Sequence, residues 1–166
     1  MLASKGKAAL SQNFFEDIGG RPTLHRVHKI LYKKLFAHSW LGGFFEHTIP
    51  EVVESQQNDF WAALMGGPKV YGGRSPRDAH VHMFIPAEVF DVRHELLGEA
   101  LIEAGVASDL REKWLTLDAN FKKALVNQSP DECQGRYRSE PIIVVPRPGV
   151  GQRARVKRLK NEWVQR

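Results

Sequence analysis

The sequence predicts an all-α domain, and three observations carry that reading. Apolar residues recur at helical spacing through residues 13–127. Glycine and proline punctuate the segments so marked. The one strand-like run, Ile142-Ile143-Val144-Val145, lies outside them between prolines, so it reads as isolated. The chain has 166 residues, enough for one domain with a real core and short for two. Its 42% hydrophobic and 26% charged residues are ordinary for a soluble globular chain, so no disordered or membrane class is needed. No run approaches the ~18 apolar residues of a membrane span. The opening MLASKGKAALSQN lacks the apolar stretch of a signal peptide. Cys133 stands alone, which excludes an internal disulfide and a thiolate metal cluster within one chain. A cytoplasmic location is expected on those grounds.

The elements follow in order. Residues 1–12 read as a polar lead-in. Residues 13–18 form a short helix stopped by Gly19-Gly20. Pro22 suits the first turn of the next helix, whose stripe is Leu24, Val27, Leu31 and Leu35. Gly42-Gly43 breaks the chain and Phe44-Phe45 follows. Pro50 opens a helix with Val53, Gln57, Phe60 and Leu64 in phase and Trp61 beside them, ended by Gly66-Gly67-Pro68. Ser75-Pro76-Arg77-Asp78 is a helix start, with Ser75 as cap, Pro76 at the first position and Asp78 three after the cap. That helix is expected to run to Ile85-Pro86. Residues 87–104 form a longer helix closed by Gly105, packing through Phe90, Leu97, Ala100, Leu101 and Ala104. Ser108 is expected to cap the last helix, with Leu110, Trp114, Leu117, Phe121 and Leu125 along it.

Residues 128–166 differ. They are rich in proline, and residues 136–166 carry nine Lys/Arg against two Asp/Glu. The whole chain is +5, so the excess positive charge sits entirely in this extension. Residues 153–166 are expected to form a basic amphipathic helix with Val156, Leu159 and Trp163 on one side.

Polar residues on apolar faces are the informative ones. Gln57 lies in phase with Val53 and Phe60, and a buried amide without a partner would cost about 1–3 kcal/mol, so protein or ligand has to supply one. Tyr32, four residues after His28, can point its hydroxyl inward. His80 has Met83 and Phe84 at +3 and +4, the apolar side of a continuing helix. His82 would then fall roughly 200° around, facing the surface or the neighbouring helix. Each of these residues taken alone has an ordinary explanation as packing.

Together, their spacing resembles the truncated haemoglobins, most closely group I. The matching features are Gly19-Gly20, Leu31-Tyr32, Phe44-Phe45, Gln56-Gln57, Phe60-Trp61, Gly66-Gly67-Pro68 and Tyr71-Gly72-Gly73. His80 falls nine residues after Tyr71 and Phe90 ten after His80. Gly105-Val106 closes the next helix, and the register holds over residues 13–126. The resemblance implies a truncated globin fold, a two-over-two helical sandwich around haem b. It makes 1–12 a lead-in, 13–127 the globin domain and 128–166 a basic, proline-containing extension.

The resemblance assigns roles as well. It makes His80 the proximal iron ligand, a neutral imidazole with its other nitrogen hydrogen-bonded, and leaves the opposite side open. Tyr32 and Gln57 become donors to bound O2. Phe45 packs on the macrocycle, and Val53 replaces the distal histidine of animal globins. Gln56 stands where some relatives carry a histidine that closes the sixth position, so the iron is expected to be pentacoordinate. Trp61 narrows a ligand tunnel. Phe60, Met83, Phe84, Phe90 and Leu97 line the pocket, and Lys69, Arg74 and Arg77 are the candidates for the propionates. Pro76 stands where relatives often have methionine. Arg93 replaces a small apolar residue near the distal side, so either it turns to solvent or a propionate, or the helix register differs by one residue.

Two functions fit this reading. One is binding of O2, NO and CO with oxidation of NO to nitrate; no nicotinamide or flavin motif is present, so an external reductase is required. The other is a non-catalytic O2/NO carrier or sensor whose basic extension meets an acidic partner protein or membrane surface. Nucleic acid could bind such a segment too but is the least expected partner. A helical interaction domain without haem is the third class, and a colourless protein would identify it.

Overall fold

The structure, a computed structural model, describes residues 13–161. Helix α1 (Phe14–Asp17) is capped by the Asn13 side chain, whose Oδ1 accepts from the Glu16 amide at 2.8 Å. Gly19 and Gly20 take positive φ of 93° and 69°, turning the chain into α2 (Arg21–Ala37). A 3-10 helix, Leu41–Phe45, leads to α3 (Pro50–Leu64). Then come α4 (Pro76–His80), α5 (Ala87–Glu103), α6 (Ser108–Ala119) and α7 (Lys122–Leu125). Helix α2 packs on α3 and on α5, and α5 packs on α6. The result is the two-over-two sandwich, with Leu24, Val27, Leu31 and Leu35 fully enclosed at its centre. Among the described residues no helix is long and apolar enough to cross a membrane.

A buried polar contact fixes how α2 sits on α3 and α6. His28 Nδ1 lies 2.6 Å from Asn58 Oδ1, and since an amide oxygen only accepts, Nδ1 donates. The ring meets Trp114 of α6 edge-on at 6.0 Å. Burial, the dominant cause, pushes the His28 pKa down to about 4. The unfolded chain therefore takes a proton near pH 6.5 that the folded chain refuses down to about pH 4. Stability from His28 is complete above pH 6.5 and falls as pH drops, at up to about 1.4 kcal/mol per pH unit. Urea titrations between pH 4 and 7 are expected to show a shallower slope for His28→Gln than for the parent. Parallel slopes would contradict this.

Four details depart from expectation. Helix α4 stops at His80, so Val81–Phe84 do not continue its wheel. The stripe on α3 is also shifted: its enclosed residues are Asn58, Trp61 and Ala62, while Leu64 is 44% exposed. Ser108 is the first helical residue rather than the cap, because Ala107 already holds the extended position before α6. The last helix breaks at Asn120-Phe121 into α6 and α7.

The largest correction concerns the extension. Residues 157–159 are a β-strand, β2 (Lys157–Leu159), not a helix, and β1 (Ile142–Val144) is not isolated. They pair antiparallel, with Ile143 opposite Arg158. Ile143 also bridges Met83 in parallel. The physical reason is non-local: β-branched Ile142-Ile143-Val144 gains backbone partners on both sides, which outweighs local helix preference at 153–159. Trp163 lies outside the described residues.

Candidate functional site

A cavity of about 550 Å³ lies between the helix pairs. Tyr32 enters it from α2, its ring held edge-on by Phe45 at 5.9 Å and by Phe36 at 6.5 Å. The 3-10 helix contributes Phe44 and Phe45. One face of α3 supplies Val53, Gln56, Gln57, Phe60 and Trp61. From the other side come His80, Met83 and Phe90. Phe121, whose ring meets Phe60 at 5.7 Å and Trp61 at 6.1 Å, and Leu125 line it from the broken last helix. Val53, Gln57 and Phe60 of the stripe read as core on α3 are therefore a cavity face, and Leu64 is not part of it. Among the described residues, neither the Tyr32 hydroxyl nor the Gln57 amide has a hydrogen-bond partner in the protein.

His80 is prepared by local structure. Ser75 Oγ accepts from the Asp78 amide at 3.1 Å and donates to Asp78 Oδ2 at 2.8 Å, so the short α4 starts where the sequence predicts. One turn later His80 Nδ1 lies 2.7 Å from the Pro76 carbonyl. A carbonyl only accepts, so Nδ1 carries the proton and Nε2 keeps its lone pair. Burial lowers the His80 pKa against the pull of that carbonyl, which keeps the ring neutral. Burial likewise pushes the Tyr32 hydroxyl up to about 12, so it remains a hydrogen-bond donor at any physiological pH. A neutral imidazole and two unpartnered donors lining one aromatic cavity fit a planar metal macrocycle that also takes a polar ligand.

Arg93 turns neither to solvent nor away from the cavity. Its Nη1 donates to Asp118 Oδ1 at 2.5 Å, and Asp118 Oδ2 takes His94 Nδ1 at 2.7 Å. Arg93 and Asp118 both line the cavity. Burial alone would raise the Asp118 pKa, but Arg93 and His94 outweigh it and hold the carboxyl below its usual range. The pair ties α5 to α6 and places a compensated charge in the wall.

Other expected residues lie elsewhere. Phe84 does not line the cavity; with α4 ended at His80, its amide donates to the Ile143 carbonyl at 2.8 Å instead. Leu97 belongs to the closed core. Lys69, Arg74 and Arg77 are exposed and outside the lining, with Arg74 over the Tyr137 ring at 5.0 Å. His82 is not on the surface. It is 4% exposed, its Nε2 3.8 Å from Glu140 Oε1, and it lines the cavity beside the extension.

The sequence reading missed Arg136, Glu140, Ile143, Val156 and Arg158, all from the extension and all lining the cavity. One signal pointed to them: four consecutive β-branched apolar residues at 142–145 need cover that a solvated tail would not give.

Comparison with known proteins matches this geometry. Residues 13–127 match the family model described as bacterial-like globin. A group 1 truncated hemoglobin of Tetrahymena thermophila is 34% identical over 96 residues, covering 58% of this chain and 79% of that one. The crystal structure of truncated hemoglobin from Tetrahymena pyriformis, in its Fe(III) form, superposes with a TM-score of 0.63 at 27% identity, over 70% of this chain and 100% of that one. The hemoglobin of Chloroflexus aurantiacus gives 0.64 at 28% identity, over 70% and 98%.

Proposed function

The chain belongs to the group 1 truncated haemoglobins, within the bacterial-like globins, and from that premise we propose that it binds haem b through His80 and takes a diatomic gas on the Tyr32 and Gln57 side. When bound, haem supplies an iron with one open coordination position and a ferrous–ferric couple. The observation that carries the reading is His80: its Nδ1 is committed to the Pro76 carbonyl, so Nε2 is the atom it offers to the cavity. Phe45, Phe60, Trp61 and Phe90 give the macrocycle an apolar and aromatic enclosure. Val53 and Gln56 border the ligand side without offering an imidazole.

Tyr32 and Gln57 donate toward the ligand, where a gas that gains partial negative charge is favoured over one that does not. This selects O2 for retention. Tyr32→Phe is expected to speed O2 release roughly five- to tenfold, the loss of one such bond. An unchanged rate by flash photolysis or stopped flow would remove Tyr32 from the ligand side.

The activity this supports best is dioxygenation of NO, with net conversion NO + O2 + one electron to nitrate. The electron has to come from an external reductase. Mixing the oxygenated protein with NO is expected to give nitrate and the ferric spectrum at once; persistence of the oxygenated spectrum would sink the proposal. The carrier or sensor reading, with the extension as a partner-binding element, draws less support. Arg147 bonds Glu88 at 3.0 Å, Arg153 the Ala37 carbonyl at 3.0 Å, and Arg158 Glu46 at 2.5 Å, so part of the extension's basic face is turned to the globin domain.

A further inference from the structure

We propose that the C-terminal extension is a structural wall of the haem site, with Ile143 and Val156 giving apolar contact and Arg136 and Arg158 giving charge to the carboxylates of the macrocycle. The inference rests on the haem reading above and goes beyond it. The crystal structure of the Tetrahymena pyriformis protein is matched over its whole length by 70% of this chain, so the remainder has no counterpart there.

The extension is seated at both ends. The Ile143 amide donates to the His82 carbonyl and its carbonyl accepts from the Phe84 amide, both at 2.8 Å. These two bonds fasten the extension to the segment directly after His80. On the far side Trp40 Nε1 donates to the Val145 carbonyl at 2.8 Å. Gly43 then admits the extension at van der Waals distance: a Cβ there would lie 2.6 Å from Val145 Cγ1 and 3.2 Å from Val156 Cγ2. The extension thus spans from the 3-10 helix to the segment after His80 and lines the cavity between them.

A haem carries two carboxylates that need cations or water. Among the described residues, the Lys and Arg side chains lining the cavity are Arg93, Arg136 and Arg158. Arg93 is committed to the buried Asp118. Arg136 and Arg158 remain, both from the extension. Arg158 is paired with Glu46, which is 49% exposed, whereas Arg136 is held by the more enclosed Glu140 and by the Ala79 carbonyl at 3.3 Å; Arg158 is therefore the freer cation, and each keeps N–H groups that a second anion can take. Arg158 also touches His47 Nε2 at 2.8 Å, at the cavity edge.

The test is haem retention in the full chain. Hemin-loaded parent, Gly43→Ala, Ile143→Ser, Arg158→Gln and Arg158→Lys are mixed with excess apomyoglobin, and haem transfer is followed by absorbance. Gly43→Ala wedges the extension off and is expected to speed loss about tenfold or more; Ile143→Ser and Arg158→Gln about threefold or more, with Arg158→Lys between Gln and parent. Circular dichroism reports whether each variant is folded. If Gly43→Ala unfolds, Ile143→Ser and Arg158→Gln decide the question, since Arg158 is 38% exposed and outside every helix. Rates for both within about twofold of parent would overturn the proposal while leaving the haem reading intact. A parent chain that takes up no hemin would overturn both.

Discussion

His80→Gly is expected to lose stable haem uptake, and imidazole added to the buffer is expected to restore it. The side chain supplies one nitrogen at a fixed orientation, because Nδ1 is held by the Pro76 carbonyl at 2.7 Å within a helix started by the Ser75 cap. Removing it leaves aromatic walls that would retain some affinity for a flat macrocycle but no side-chain nitrogen to hold its metal. The loss should exceed tenfold in affinity and remove the signature of histidine ligation. Free imidazole enters the space of the lost ring and restores ligation without the backbone bond. His82→Gln is the control. His82 lines the same cavity, yet its backbone carbonyl binds it to the extension and its ring stands 3.8 Å from Glu140. If His82→Gln abolished uptake and His80→Gly did not, the assignment would be reversed.

Asp118→Ala is expected to be the most destabilising single change in the cavity wall. Asp118 is 1% exposed and neutralises Arg93 while accepting from His94. Without it the guanidinium stays in a largely apolar wall, a cost of about 3–5 kcal/mol. That is a large part of a typical total stability of about 5–15 kcal/mol. Replacing both partners with apolar residues, Arg93→Met with Asp118→Leu, should recover much of the loss, since the penalty comes from the stranded charge. Urea denaturation of the two single variants and the double variant measures this. A loss for Asp118→Ala under about 1 kcal/mol would show that the pair is solvated rather than enclosed.

Local and periodic features were legible in the sequence. Gly19-Gly20, Pro22, the Ser75 cap and the stripe on α2 all encode their structure within a few residues, and all appear where they were read. Tyr32 and Gln57 lie on cavity faces of their helices, while His80 lines the cavity as the last residue of α4 rather than as part of a continuing wheel. Phe84 and His82 were misplaced for one reason: the wheel was continued past His80, where the chain instead pairs with β1. The extension was misread for the same reason on a larger scale. Its basic, periodic stretch permits a helix locally, and only pairing across 15 residues, as Ile143 with Arg158, decides for a strand. Arg93 marked a real departure, but its partner Asp118 is 25 residues away and carries no local signal.

The most direct measurement is the absorbance spectrum of the purified full chain after hemin titration, dithionite reduction and CO addition. A Soret band that saturates near one hemin per chain and shifts sharply with CO is the expected result for one histidine-ligated iron with an open coordination position. Hemin that stays spectrally free, or a bound spectrum unmoved by CO, would contradict it.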